Sequence, residues 1–142
     1  MTNGQIKLSK PAVTASFEEY LKYYARRKGW SQSRLAVCAR LNQSHINKII
    51  NGNVYNISVD VLTCISLALQ LTLEESKDLL ARTERAFSPA SDQHQAYQEL
   101  IAIYASPEYT FEEGNNMLSF ADDYLEERKL AKLARLPNVE DY

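Results

Sequence analysis

Five polar side chains crowd into six consecutive positions, Gln43, Ser44, His45, Asn47 and Lys48, and none of them is a carboxylate. Amides, a hydroxyl, an imidazole and an ammonium supply donors and acceptors of the kind that pair with base edges and phosphate oxygens. An inert solvated helix more often carries Glu and Lys in alternating pairs. Catalytic chemistry finds much less to work with. His45 and His94 are the only histidines and there are four Gly in all. No Ser/His/Asp set, metal-ligand cluster or Gly-rich phosphate loop stands out, so the sequence predicts a protein that is not an enzyme, with no cofactor and no metal.

The surrounding residues predict how that polar set is held. Asn42 suits the N-cap of a helix over 43–51, Ile46, Ile49 and Ile50 give it a buried face, and Gly52 closes it in the left-handed conformation. Upstream, Ser31 caps a helix over 32–39, where Leu35 and Ala39 share one face. Ala36 beside them is small enough for a second helix to approach closely. Arg40 and Leu41 make the turn between the two. Two short helices thus cross at a tight turn, and one polar face of the second stays free to enter a groove in DNA.

These residues resemble the helix-turn-helix of the lambda-repressor and Cro-type regulators, the XRE family. Its motif reads approximately Thr/Ser-Gln-x-x-Leu-Ala, a turn, Ser/Thr-x-x-x-Ile and a terminal Gly. The chain agrees at Ser31, Gln32, Leu35, Ala36, Ile46, Ile49 and Gly52, and the likeness extends over roughly 17–86. The resemblance implies an all-α fold: a five-helix lambda-repressor-like DNA-binding headpiece, followed here by two further helices. It implies base contacts from Gln43, Ser44, His45, Asn47 and Lys48, with Gln43 the foremost reader because Gln can pair bidentately with adenine. It also implies that Gln32 holds a phosphate and braces Gln43. Ser31, Asn51 and the loop residues Asn53, Tyr55 and Asn56 are expected along the phosphate strand, together with Arg26, Arg27 and Lys28. That last cluster equally suits the carboxyl end of a first helix, where cations favour the dipole. One position departs from the family: Arg40 stands where Gly is usual. A left-handed Arg there costs about 1 kcal/mol, which Arg40→Gly is expected to relieve, its side chain pointing away from the groove-facing residues.

Composition agrees with a packed, mainly helical chain: 142 residues, 45% hydrophobic, four Gly and four Pro. No run approaches a membrane span and residues 1–9 lack a signal-type apolar stretch, so a cytoplasmic location and no membrane partner are expected. Cys38 and Cys64 are expected as reduced core thiols. The net charge of −2 is divided unevenly. Residues 1–57 carry nine Lys/Arg against two Glu, or +7, and residues 58–142 carry seven Lys/Arg against sixteen Asp/Glu, or −9. Positive charge accompanies the motif, as attraction to phosphates requires.

Three regions follow: an N-terminal arm over 1–15, the DNA-binding domain over 16–87, and a helical extension over 88–142. A capping box at Ser16-Phe17-Glu18-Glu19 opens the first helix, in which Tyr20, Tyr23 and Tyr24, with Trp30 beyond, read as packing. A fourth helix starts after Ser58, and a fifth runs from the box Thr72-Leu73-Glu74-Glu75 to Ala86. In the extension Ser91 caps one helix, and a box at Thr110-Phe111-Glu112-Glu113 opens a long one to about Leu136. Its stripe of Met117, Leu118, Ala121, Tyr124 and Leu125 is expected to pack on the headpiece and to serve dimerisation. The expected function is a sequence-specific, double-stranded DNA-binding transcriptional regulator, a dimeric repressor of phage or mobile-element type. The alternatives are an antitoxin-like regulator whose C-terminal helices hold a protein partner, and a protein-binding adaptor that keeps only the fold.

Overall fold

The computed structural model describes residues 8–54, 56–109 and 117–133. Among them are seven helices and no strand: α1 (Phe17–Lys28), α2 (Gln32–Cys38), α3 (Gln43–Ile50), α4 (Val59–Ala68), α5 (Leu73–Arg82), α6 (Asp92–Tyr104) and α7 (Met117–Glu127). The all-α architecture expected from the sequence is present.

Each of the first six helices starts where a side chain can accept from an orphan first-turn amide. Ser16, Ser31, Asn42, Ser58, Thr72 and Ser91 take the backbone N–H of Glu19, Arg34, Ser44, Val61, Glu75 and His94 in turn. The reciprocal capping box forms at Thr72, where the Glu75 carboxylate accepts from the Thr72 amide. The box expected at Thr110 lies outside the described residues.

The helix ends follow one rule that glycine alone does not reveal. Six helices close on a left-handed residue, and only Gly29 and Gly52 among these are glycine; Arg40, Gln70, Glu84 and Lys129 are the others. After each, the next amide reaches back to a carbonyl of the last turn, as in Leu41 N–H to Ala36 (2.9 Å), Leu71 to Ser66 (3.0 Å), Arg85 to Leu80 (2.8 Å) and Leu130 to Leu125 (2.9 Å). This geometry corrects two expected lengths. The fifth helix stops at Arg82, not Ala86, because Glu84 turns left-handed. The last stops at Glu127, not near Leu136, because Lys129 does the same.

α4 organises the core. Leu62 through Ala68 are buried without a break, the small hydroxyls of Thr63 and Ser66 among them, and α2, α5, α6 and α7 all pack against the helix. One hydrophobic cluster runs from Phe17 to Leu133 and takes in Tyr97, Leu100 and Ile101 of α6 with Met117, Leu118, Ala121 and Leu125 of α7. Polar side-chain bonds tie the extension down. The Tyr97 hydroxyl donates to the Asp60 carboxylate (2.9 Å), and Gln93 both donates to the Ala131 carbonyl and accepts from its amide. Neither cysteine is in a disulfide; Cys64 is buried and Cys38 half-buried. Among the described residues no helix is long and apolar enough to cross a membrane.

Because α7 shares this core, Leu125→Ala removes a side chain with 0% exposure and should cost about 2–5 kcal/mol of global stability. Urea unfolding should show one transition with a lowered midpoint; a separate early step confined to α7 would show that the extension unfolds on its own.

Candidate nucleic-acid interface

α2 and α3 cross as their apolar spacing demands. Leu35, Ala36 and Ala39 from one and Ile46, Ile49 and Ile50 from the other are each no more than 3% exposed. With that face buried, α3 turns Gln43, Ser44 and Lys48 outward, all exposed, while Gln32 and Ser31 are exposed at the amino end of α2. The Ser31 hydroxyl and the Asn42 carbonyl oxygen are used as caps. Asn51, Asn53 and Asn56 are exposed around the turn that follows α3, and Tyr55 lies outside the described residues.

Two members of the polar set sit deeper. His45 is half-buried, and burial together with the Lys48 charge holds its imidazole below the ordinary histidine value. It is therefore neutral at pH 7, with one ring nitrogen a donor and the other an acceptor. Asn47 is also half-buried, and its Oδ1 is enclosed with no hydrogen-bond partner among the described residues. The paired contact by which an amide reads adenine needs both the oxygen and the NH₂ outward, a condition that exposed Gln43 meets and Asn47 does not.

The basic cluster of α1 separates into different roles. Arg26 is exposed. Arg27 forks onto both oxygens of Glu75 in α5 (2.8 and 3.0 Å) and lies over the Tyr24 ring. Lys28 donates to Gln70 Oε1 (2.5 Å) and sits 5.4 Å from the centre of the Trp30 ring. Arg27 and Lys28, both expected beside a phosphate strand, thus each have a partner in the α4–α5 region, and Arg27 stays exposed within its pair.

Arg40 holds the turn between α2 and α3 at φ 55°, the left-handed backbone that its place in the motif requires. Its side chain does more than endure that strain. The guanidinium donates to the Ser119 hydroxyl and pairs with the Asp122 carboxylate at 3.5 Å, both on α7. Arg40→Gly therefore removes a tie as well as strain, and the stability gain expected from the sequence no longer follows. The clue was Asp122 itself, an acid on the stripe of Leu118, Ala121 and Leu125, where a buried carboxylate needs a partner. That stripe faces the chain's own core. Met117, Leu118, Ala121 and Leu125 are at most 3% exposed. A second copy could reach those four only by lifting α7 from α4, while Tyr124 is half-buried and Phe120 is 53% exposed.

Residues 21–76 match the family model described as Helix-turn-helix. No curated protein and no solved structure matches the chain.

The Arg27–Glu75 pair predicts an acid-dependent stability term. Burial raises the Glu75 pKa, but hydrogen bonds from Arg27 and the Thr72 amide outweigh it and hold the carboxyl below its ordinary value. A lowered folded pKa means a contribution present above the unfolded carboxylate pKa and lost as pH falls through the folded one. Arg27→Ala should lower stability at pH 7 by less than about 1 kcal/mol, the pair being partly exposed. The loss should shrink on acidification in thermal melts, and a loss that stays constant below the carboxylate range would assign it to packing on Tyr24.

Proposed function

We propose that this chain, whose residues 21–76 form a helix-turn-helix domain of the XRE type, is a transcriptional regulator that reads double-stranded DNA with α3. One observation carries the reading: α3 buries its isoleucines and leaves Gln43, Ser44 and Lys48 exposed, a row able to meet base edges and phosphates. Gln43 is the base reader, Ser44, neutral His45 and the amide of Asn47 lie beside it, and Lys48 adds charge. Gln32, Ser31, Arg26, Asn51, Asn53 and Asn56 flank that row as backbone contacts. Regulators of this kind bind as dimers to paired half-sites, and repression by occupying an operator is the action we assign to it. A cytoplasmic location fits that role.

Selection of bound fragments from random duplex DNA, followed by titration of the winner, tests this directly. Log affinity should fall linearly with log salt, with a slope of about −0.9 per phosphate contact. Lys48→Ala should flatten the slope by roughly one contact per subunit and weaken all sequences alike. Gln43→Ala should cost about 1–3 kcal/mol on the selected site and relax the preference at one or two base pairs. Gln32→Ala should weaken binding with a smaller change in preference. Enrichment of no sequence, or a Gln43→Ala variant with unchanged affinity and preference, would contradict the reading.

A further inference from the structure

The turn between α2 and α3 is held from outside the matched domain. Arg40, the left-handed residue at its centre, reaches α7, where its guanidinium meets Ser119 and Asp122. Asp122 is fixed in turn. It is 7% exposed, and its other oxygen accepts the backbone N–H of Leu133 at 2.8 Å, so the carboxylate is oriented by the chain that folds back after α7. α7 itself is anchored by Leu118, Ala121 and Leu125 in the core around α4. The turn is the joint about which α3 could pivot relative to α2, and any rotation there swings Gln43 and Lys48. An arm from that joint to a helix seated on α4 removes the freedom.

We propose that Asp122, acting through Arg40, is a positioning residue for DNA readout: the C-terminal extension sets the pose of the recognition helix and so belongs to the binding unit. The inference rests on the reading of α3 as the DNA-reading helix. It also makes a prediction of sign that separates it from the simplest rival. If Arg40 were a phosphate ligand held back by Asp122, removing the carboxylate charge would free it and tighten binding. If Asp122 positions the turn, the same change weakens binding even though the protein has become less negative.

The test uses the full chain with Asp122→Asn, and Ser119→Ala as a milder variant that loses the Arg40 hydrogen bond without altering charge. Affinity for the duplex selected by the wild type is measured under conditions where circular dichroism shows each variant folded, and hydrogen exchange is followed at the Leu41 amide, which bonds to Ala36. The expected result is faster Leu41 exchange and an affinity lower by about three- to tenfold in Asp122→Asn, with a smaller loss in Ser119→Ala. The salt slope should be unchanged, because no phosphate contact is lost. Tighter binding with a steeper slope would make Arg40 a phosphate ligand and overturn the proposal, as would unchanged affinity and exchange. A wild type that selects no duplex removes the DNA reading and the positioning role with it; the exchange data would then still show whether Asp122 holds the turn. Should Asp122→Asn fail to fold, Ser119→Ala decides by the same two readouts.

Discussion

The packing of four helices around α4 is the constraint on which the structure depends. A helix buried without a break from Leu62 to Ala68 cannot stand at a surface, so it must be wrapped, and α2, α5, α6 and α7 do so. The consequence for function is indirect and strong. α2 is pressed onto α4, α3 is pressed onto α2 and α1, and the outward row of α3 inherits its direction from that stack. Helix α7 presses on the same hub and returns a charged contact to the turn between α2 and α3. The headpiece and its extension share one core, and the extension touches the motif where its geometry is most easily altered.

Much of this was legible in the residues. Each of the six N-caps named among the described residues, Ser16, Ser31, Asn42, Ser58, Thr72 and Ser91, holds a first-turn amide, because capping is a local event that needs only the side chain and the next three residues. The buried faces of α2 and α3 were readable for the same reason. Helix ends were less so. Gly29 and Gly52 announce themselves, whereas Gln70, Glu84 and Lys129 adopt the left-handed conformation without glycine's freedom. A weaker signal does accompany several of them: a polar residue followed by an apolar one, as in Arg40-Leu41, Gln70-Leu71 and Lys129-Leu130, where the second side chain joins the core or packs against it.

Long-range commitments were beyond sequence spacing. Arg27 and Glu75 are 48 positions apart, Lys28 and Gln70 are 42 apart, and Arg40 and Ser119 are 79 apart. A local reading sees a basic cluster beside a DNA-binding motif, while the fold converts two of its three charges into internal ties. Part of the positive charge over residues 1–57 is therefore held in ties within the chain. Around the motif Arg26, Arg27 and Lys48 are exposed cations, Arg27 in its pair with Glu75, and Gln43, Ser44 and Gln32 are exposed neutral hydrogen-bonding groups.

The most direct measurement is a titration of isotope-labelled protein with a selected duplex, followed residue by residue through amide chemical shifts. The predicted perturbations centre on Gln43, Ser44 and Lys48 and on the amino end of α2, with a secondary group at Arg40 and around Asp122. Perturbations confined to the outer faces of α6 and α7, or none at saturating duplex, would contradict the assignment of α3 as the DNA-reading helix.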